Sequence, residues 1–228
     1  MSLDLRKREA AAEAIKLVEP GMLVGLGSGT TAEHAIRLLG EQYRAGLKFI
    51  GVPTSMASAG LARSYGIPLI DLPAGTPIDL TIDGADEIAE ADLCLIKGLG
   101  GALLWEKIVA TMSQRMVIVA DGTKLQPRLS GRIPVPVEIV EFGWESTAAR
   151  LSHMGYQTIL KRDSAGRPYR TDGGNLILHC RINDLSDPAA TERALSMTVG
   201  VVETGLFIGL ATTALVASAG GVRRIDAG

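Results

Sequence analysis

The chain has 228 residues, enough to bury one larger core or two small ones. Its apolar fraction is 46%, its charged fraction 21% and its net charge -2, so composition offers no electrostatic ground for a nucleic acid or an acidic membrane as partner. No apolar run reaches the roughly 18 residues needed to span a bilayer, and no apolar signal core follows the charged first residues.

Residues 5–18 are alanine-rich with a helical period and stop at Pro20-Gly21. Residues 22–26 form a short apolar run ending in glycines, which predicts a strand, and 30–39 are helical again. A strand at 49–52, a helix at 55–65 and a strand at 68–72 follow. Short strands are expected at 80–82 and 93–96, a helix at 102–112 and a strand at 116–120. Apolar strands alternating with helices imply an α/β domain with a mainly parallel sheet covered on both faces. Ligands of such sheets bind beyond the C-terminal strand ends.

The pattern changes after Pro127. Residues 133–140 read as an edge strand because they carry Pro134 and Pro136. A helix at 146–154, a strand at 157–161, a polar turn region at 163–174, a strand at 176–181, a helix at 187–197 and a strand at 199–207 follow. The order β-α-β-β-α-β is that of a ferredoxin-like α+β domain. The expected division is therefore 1–127 with 208–228 as one domain and 128–207 as the other, with 211–218 returning to the first sheet. The two cysteines, Cys94 and Cys180, are far apart and outside any CxxC spacing, which fits a reduced, cytoplasmic setting. Cys94, inside an apolar run, reads as a core residue.

Four features carry chemistry. The turn Gly25-Leu26-Gly27-Ser28-Gly29-Thr30-Thr31 joins a strand to a helix, where glycines, free N–H groups and hydroxyl donors suit a phosphate dianion. It is neither a Walker loop, which needs Lys where Thr30 stands, nor a dinucleotide fingerprint, whose third Gly is again Thr30. Asp83-Gly84-Ala85-Asp86-Glu87 ends one strand; Lys97-Gly98-Leu99-Gly100-Gly101 ends the next, with Glu106 on the following helix. Asp121-Gly122-Thr123-Lys124 ends a third, so three adjacent strand ends are expected to bring these groups to one rim. Proton transfer between neighbouring sugar carbons needs a base, and a carboxylate serves; cations or donors must meet the enediolate oxygens. Alternatives remain at this level. Asp83 and Asp86 could hold Mg²⁺, Lys97 could form a Schiff base, Glu106 could pair with Lys107 on a surface, and Glu87 reads as a cap or a solvated charge.

These residues resemble the type A ribose-5-phosphate isomerase family. The resemblance rests on Gly-Ser-Gly-Thr-Thr at 27–31, Gly-Val-Pro-Thr-Ser at 51–55, Asp-Gly-Ala-Asp-Glu at 83–87 and Ile-Lys-Gly at 96–98. Glu-Lys at 106–107, Ala-Asp-Gly-Thr-Lys at 120–124, Pro-Val-Glu at 136–138 and Gly-Val-Val-Glu-Thr-Gly-Leu-Phe at 200–207 extend it over nearly the whole chain. It implies a Rossmann-like domain with a smaller ferredoxin-like one. It also implies conversion of D-ribose 5-phosphate to D-ribulose 5-phosphate in the non-oxidative branch of the pentose phosphate pathway. By the resemblance, Glu106 is the base, Lys97 lies beside the enediolate oxygens, and Asp83 and Asp86 handle ring opening and hydroxyl binding. Ser28, Gly29, Thr30 and Thr31 bind substrate, together with Gly84, Ala85, Gly98 and Gly100. Lys124 contacts substrate, Asp121 shares its motif, and Lys7 reaches toward phosphate. No metal or organic cofactor is implied, and the assembly is a homodimer or a dimer of dimers. Leu99 in a commonly all-glycine loop, Leu104-Trp105 before the base and Thr204 in place of a frequent His depart from the pattern. Two rivals stand beside this reading. A hexose-phosphate isomerase or deaminase would need a catalytic His, yet His34, His153 and His179 lie outside the polar clusters. A non-catalytic sugar-phosphate sensor would carry a DNA-binding segment and could dispense with Glu106 and Lys97.

Overall fold

A computed structural model describes residues 2–72 and 75–228. The elements begin with α1 (Leu3–Ile15), β1 (Leu23–Leu26), α2 (Thr30–Arg44), β2 (Ile50–Pro53) and α3 (Met56–Ser64). Next come β3 (Leu80–Asp83), β4 (Glu87–Ala89), β5 (Leu95–Ile96), α4 (Leu103–Thr111) and β6 (Met116–Asp121). A 3-10 turn (Gly122–Lys124) leads to β7 (Leu125–Gln126), β8 (Val135–Ile139), α5 (Trp144–His153) and β9 (Gln157–Leu160). The last elements are β10 (Leu176–Arg181), α6 (Pro188–Ser196), β11 (Val201–Thr204), β12 (Leu206–Phe207), β13 (Thr213–Ser218) and β14 (Gly221–Asp226). They fall into two compact units, Met1–Ala85 with Trp105–Leu125 and Gly209–Gly228, and Asp86–Leu104 with Gln126–Ile208.

The first unit is built on a six-stranded sheet ordered β14-β13-β6-β3-β1-β2. Its strands pair in parallel from β2 to β13, and β14 adds an antiparallel edge. Val24, Leu26, Leu80, Ile82, Val117 and Val119 are almost wholly buried in one core with Ile36 and Leu39 of α2. Burial of such a side chain contributes about 1.5–3 kcal/mol. Ala10, Ala11 and Ala14 of α1 join that core with no exposure, which explains the alanine-rich face of this helix. The strand expected at 68–72 shrinks to one parallel bridge, Gly51 with Leu69. Pro68 has no N–H to donate, though its carbonyl accepts from Gly51 N–H at 2.9 Å.

The second unit holds an antiparallel sheet ordered β11-β8-β10-β9, fed by α5 and α6. Its β-α-β-β-α-β order and strand arrangement are ferredoxin-like. Contrary to the proline-based expectation, β8 is an interior strand with β11 on one side and β10 on the other. The reason is local. In a strand the N–H and C=O of one residue point to the same side, and Pro136 C=O accepts Gly205 N–H at 2.7 Å. The missing donor therefore faces Gly205, one step past the β11 ladder, which ends at Thr204 opposite Val137. Gly205 C=O accepts Lys97 N–H instead, at 2.9 Å. A Cβ on Gly205 would lie 2.3 Å from Lys97 O and 2.8 Å from Pro136 Cδ, so only glycine lets the strands approach here.

At Gly205 the expected strand 199–207 breaks into β11 and β12, and β12 joins a second small sheet ordered β12-β5-β4-β7. Segment 86–104 consequently groups with the second unit, whereas the sequence suggested the first. Strand β4 had no periodic signal because it has three residues. It forms a hairpin with β5 in which Leu93 takes a positive φ of 52° and Asp92 accepts Cys94 N–H at 3.0 Å. The end of β5 is therefore not a neighbour of β3 and β6 in the parallel sheet, and the picture of three adjacent strand ends is corrected to two.

Candidate active site

In the first unit the sheet order reverses at β1: the chain moves to β2 on one side and β3 on the other. The C-terminal ends of β1 and β3 meet there, with Leu26 opposite Ile82. That is the position where parallel sheets bind ligands. Gly27 N–H donates to Ile82 O at 3.0 Å. Asp83 Oδ1 then accepts Ser28 N–H at 3.0 Å and Gly84 N–H at 2.7 Å. A Cβ on Gly27 would stand 2.3 Å from Asp83 Oδ1, so this glycine makes room for the carboxylate. Asp83 has 0% exposure, and two backbone donors orient it as charge-assisted bonds do.

The hydroxyl of Ser28 turns inward, 2.7 Å from both Thr54 Oγ1 and Ser55 Oγ. Thr54 in turn donates to Leu26 O at 3.1 Å. Gly29, at a φ of 90°, caps α2 without a side-chain hydrogen bond, and Thr30 and Thr31 open the helix. Lys7 on α1 reaches this turn: its Nζ donates to Thr30 Oγ1 at 2.8 Å. An ammonium, two threonine hydroxyls and a helix N-terminus suit an anion. Asp121, 2% exposed, caps the 3-10 turn by accepting Thr123 N–H at 2.9 Å, and Lys124 is half-buried at its end. Glu106 and Lys107, on α4, are 4% and 8% exposed, which removes the surface ion pair weighed for them.

In the second unit, Lys97 is 2% exposed and its Nζ lies 5.4 Å from the centre of the Phe207 ring, within cation–π range. Gly98 and Gly101 have φ values of 93° and 104°, which the turn requires, while Gly100 does not share that conformation. Asp86 Oδ2 accepts Leu99 N–H at 2.9 Å. Glu87 is neither solvated nor a helix cap. It is 4% exposed and accepts the N–H and hydroxyl of Ser130, the latter at 2.8 Å, because β4 turns it inward. Ala85, half-buried, is the last residue before the chain passes into this unit. Among the described residues no group of three or more His, Cys, Asp and Glu could hold a metal ion.

Several participants escaped the sequence reading. Thr54 and Ser55 lie in the noted Gly-Val-Pro-Thr-Ser motif, which was a findable signal. Lys161 lies just before the polar turn region and Tyr169 within it, and neither had a local mark. Lys161 Nζ donates to Leu99 O and lies 4.2 Å from the centre of the Tyr169 ring. Burial lowers the pKa of Lys161, against an opposing pull from Asp86. His179, set aside as remote from the clusters, feels both of these groups; burial and then Lys161 lower its pKa, while Asp86 opposes.

A family model described as ribose 5-phosphate isomerase A (phosphoriboisomerase A) matches residues 50–221. The chain belongs to the ribose 5-phosphate isomerase A family. It is 49% identical over 222 residues to ribose-5-phosphate isomerase A of Gloeobacter violaceus, covering 97% of this chain and 96% of that protein. The Thermomicrobium roseum enzyme of the same name is 47% identical, with 99% and 95% covered. Among solved structures, ribose 5-phosphate isomerase A of Methanocaldococcus jannaschii superposes with a TM-score of 0.94 at 37% identity, covering 99% of this chain and all of that one. A D-ribose-5-phosphate isomerase in complex with phospho-erythronic acid gives 0.95 at 34% identity, with 99% and 100% covered. The α/β fold with a mainly parallel sheet is thus the fold of this isomerase family.

Proposed function

We propose that this chain is an aldose–ketose isomerase that interconverts D-ribose 5-phosphate and D-ribulose 5-phosphate, in the non-oxidative branch of the pentose phosphate pathway. The carrying observation is that Asp83, Lys97 and Glu106 are 0%, 2% and 4% exposed. Ionisable side chains are rarely buried to this degree unless paired or functional.

Each group has a task. The turn at 28–31, the α2 N-terminus and Lys7 bind the phosphate, with Lys124 as a further substrate contact. Asp83, with one oxygen held by two N–H groups, and Asp86, with one held by Leu99, guide ring opening and bind sugar hydroxyls together with Gly84 and Ala85. Glu106 removes the C2 proton of the open aldose, and the C1 carbonyl becomes an enediolate oxygen. Lys97 and the amides at Gly98 and Gly100 stabilise that charge. Donors so placed are worth about 3–4 kcal/mol each in oxyanion sites. Glu106 returns the proton to C1 while the C2 hydroxyl proton passes to the C1 oxygen, leaving a C2 ketone and a C1 hydroxyl; the reaction is redox-neutral and calls on no cofactor. Asp121 supports the reaction by capping the turn that ends in Lys124.

We further assign the protein to a reducing, cytoplasmic compartment, which suits its two free, buried cysteines. No described helix is long and apolar enough to cross a membrane. A homodimer or dimer of dimers is the expected assembly, to be read from the mass in solution. The deciding experiment is conversion of ribose 5-phosphate with a chelator present, by the parent and by Glu106→Gln. The parent is expected to be fully active and the variant to lose at least about a thousandfold in kcat. Full activity in the variant removes Glu106 as base.

A further inference from the structure

We propose that Lys161 is a positioning residue for the lysine turn at 97–101: with Asp86 it holds residue 99 by both backbone groups and so sets where Lys97 stands. The inference rests on the assignment of Lys97 to the enediolate oxygens.

A turn of Lys-Gly-Leu-Gly-Gly has little intrinsic stiffness, since glycine gives the backbone its widest freedom. Its own chain supplies one restraint, Gly101 N–H to Gly98 O at 2.9 Å. The others come from distant segments of the same unit. Gly205 O accepts Lys97 N–H at 2.9 Å. Asp86 Oδ2 accepts Leu99 N–H at 2.9 Å, and Lys161 Nζ donates to Leu99 O across 62 residues of sequence. Leu99 therefore matters for its peptide groups, each bonded to a charged side chain. Charge-assisted bonds are roughly twice as strong as neutral ones.

Lys161 is itself anchored. It directly follows β9, its N–H donates to Ile177 O at 2.9 Å, and its C=O accepts Tyr169 N–H at 3.0 Å. The Tyr169 ring carries the ammonium at 4.2 Å and also covers Gly101, where a Cβ would come within 2.4 Å of Tyr169 Cε1. One side chain and the ring beneath it thus restrain both the middle and the end of the turn. The Lys161 ammonium is directed at a backbone carbonyl, so its effect on chemistry passes through the turn.

The test uses the full-length protein with Lys161→Met, Lys161→Arg and Tyr169→Leu, and reads kcat, KM, inhibition by inorganic phosphate, and hydrogen exchange of the peptide spanning 97–103. For Lys161→Met we expect kcat to fall about tenfold, with KM and the phosphate inhibition constant within about twofold of the parent. Exchange across 97–103 should quicken. Lys161→Arg, which keeps a charged donor, should restore most of kcat. Tyr169→Leu should shift kcat and exchange in the same direction by less, and it serves as the test if Lys161→Met does not fold. Parental kcat in Lys161→Met overturns the proposal. So does a rise in KM and the phosphate constant at constant kcat, which would make Lys161 a substrate ligand, and so does lost kcat with unchanged exchange. Exchange reads the turn whether or not it serves catalysis, so failure of this proposal is distinct from failure of the Glu106 assignment, which Glu106→Gln reports alone.

Discussion

The turn after β1 and the turn after β5 are both glycine-rich and both lead into a helix, yet they are held by opposite means. The first belongs to a parallel sheet. Its restraints are Gly27 N–H to Ile82 O and Ser28 N–H to Asp83 Oδ1, both from the neighbouring strand end, backed by the Thr54 and Ser55 hydroxyls at the end of β2. The second follows a two-residue strand outside that sheet, and it is restrained by residues 86, 161, 169 and 205. A turn at a parallel switch point inherits order from strand pairing. A turn without such a sheet needs side chains supplied from elsewhere.

Substitution of matched glycines breaks this comparison most sharply. Gly27→Ala places a methyl 2.3 Å from Asp83 Oδ1 and 2.5 Å from Asp83 Cα. It is expected to cost about a hundredfold in kcat, the scale of a roughly 1 Å misplacement of a reacting group. Gly100→Ala, in the second turn, keeps its N–H and meets nothing within 4 Å, so it is expected to cost about tenfold less in kcat than Gly27→Ala. Equal losses in the two variants would erase the distinction between the turns.

Thr54→Val probes the hydroxyl support of the first turn. It removes one of the two hydroxyl partners of Ser28 Oγ and the bond to Leu26 O at a position with 0% exposure. A stability loss of about 1–2 kcal/mol is expected by denaturant titration, with kcat reduced a few-fold. Unchanged stability would mean that the strand pairing alone holds the turn.

Glu138, bonded to Thr171 and Asn175, tests the surroundings of Tyr169, on which its charge acts. Burial raises the Glu138 pKa, hydrogen bonds from Asn175 and Thr171 oppose this, and Glu203 and Asp172 add to the rise. A carboxyl raised on folding contributes stability that is fully present below its unfolded pKa and is lost as pH rises through the folded value. Glu138→Gln keeps an acceptor for Thr171 and Asn175 without the charge. Its melting temperature should therefore match the parent near pH 4 and exceed it by about 2–4 °C at pH 8. A variant equally destabilised at both pH values would refute this. The smallest effect concerns the thiols. Burial pushes both Cys94 and Cys180 to about 12, so neither is a thiolate at pH 8. Iodoacetamide should leave the folded protein unmodified and label both residues once it is unfolded; rapid labelling of the native protein would contradict their burial.

Much of the first unit was legible because its signals are local. Apolar runs at 22–26, 80–82 and 116–120 alternate with helical patterns, and their polar ends at Asp83 and Asp121 fall at strand ends. The second unit was legible in its β-α-β-β-α-β order but not in its pairing. Pro136 suggested an edge, and only the position of Gly205 beyond the end of β11 explains how a proline sits in an interior strand. Lys161 had no sequence mark, since nothing near it refers to a carbonyl 62 residues away.

By itself, then, the amino-acid sequence determined the alternation of strands and helices, the polar clusters at 27–31, 83–87, 97–101 and 121–124, and the resemblance that named the family. Those follow from periodicity and side-chain chemistry, which act over a few residues. Only the tertiary structure decided that β5 leaves the parallel sheet, that Ser28 bonds to Asp83, Thr54 and Ser55, and that Leu99 is gripped by Asp86 and Lys161. Local pattern sets which groups must be buried or bonded. Which partner meets each of them depends on how the chain closes its long loops.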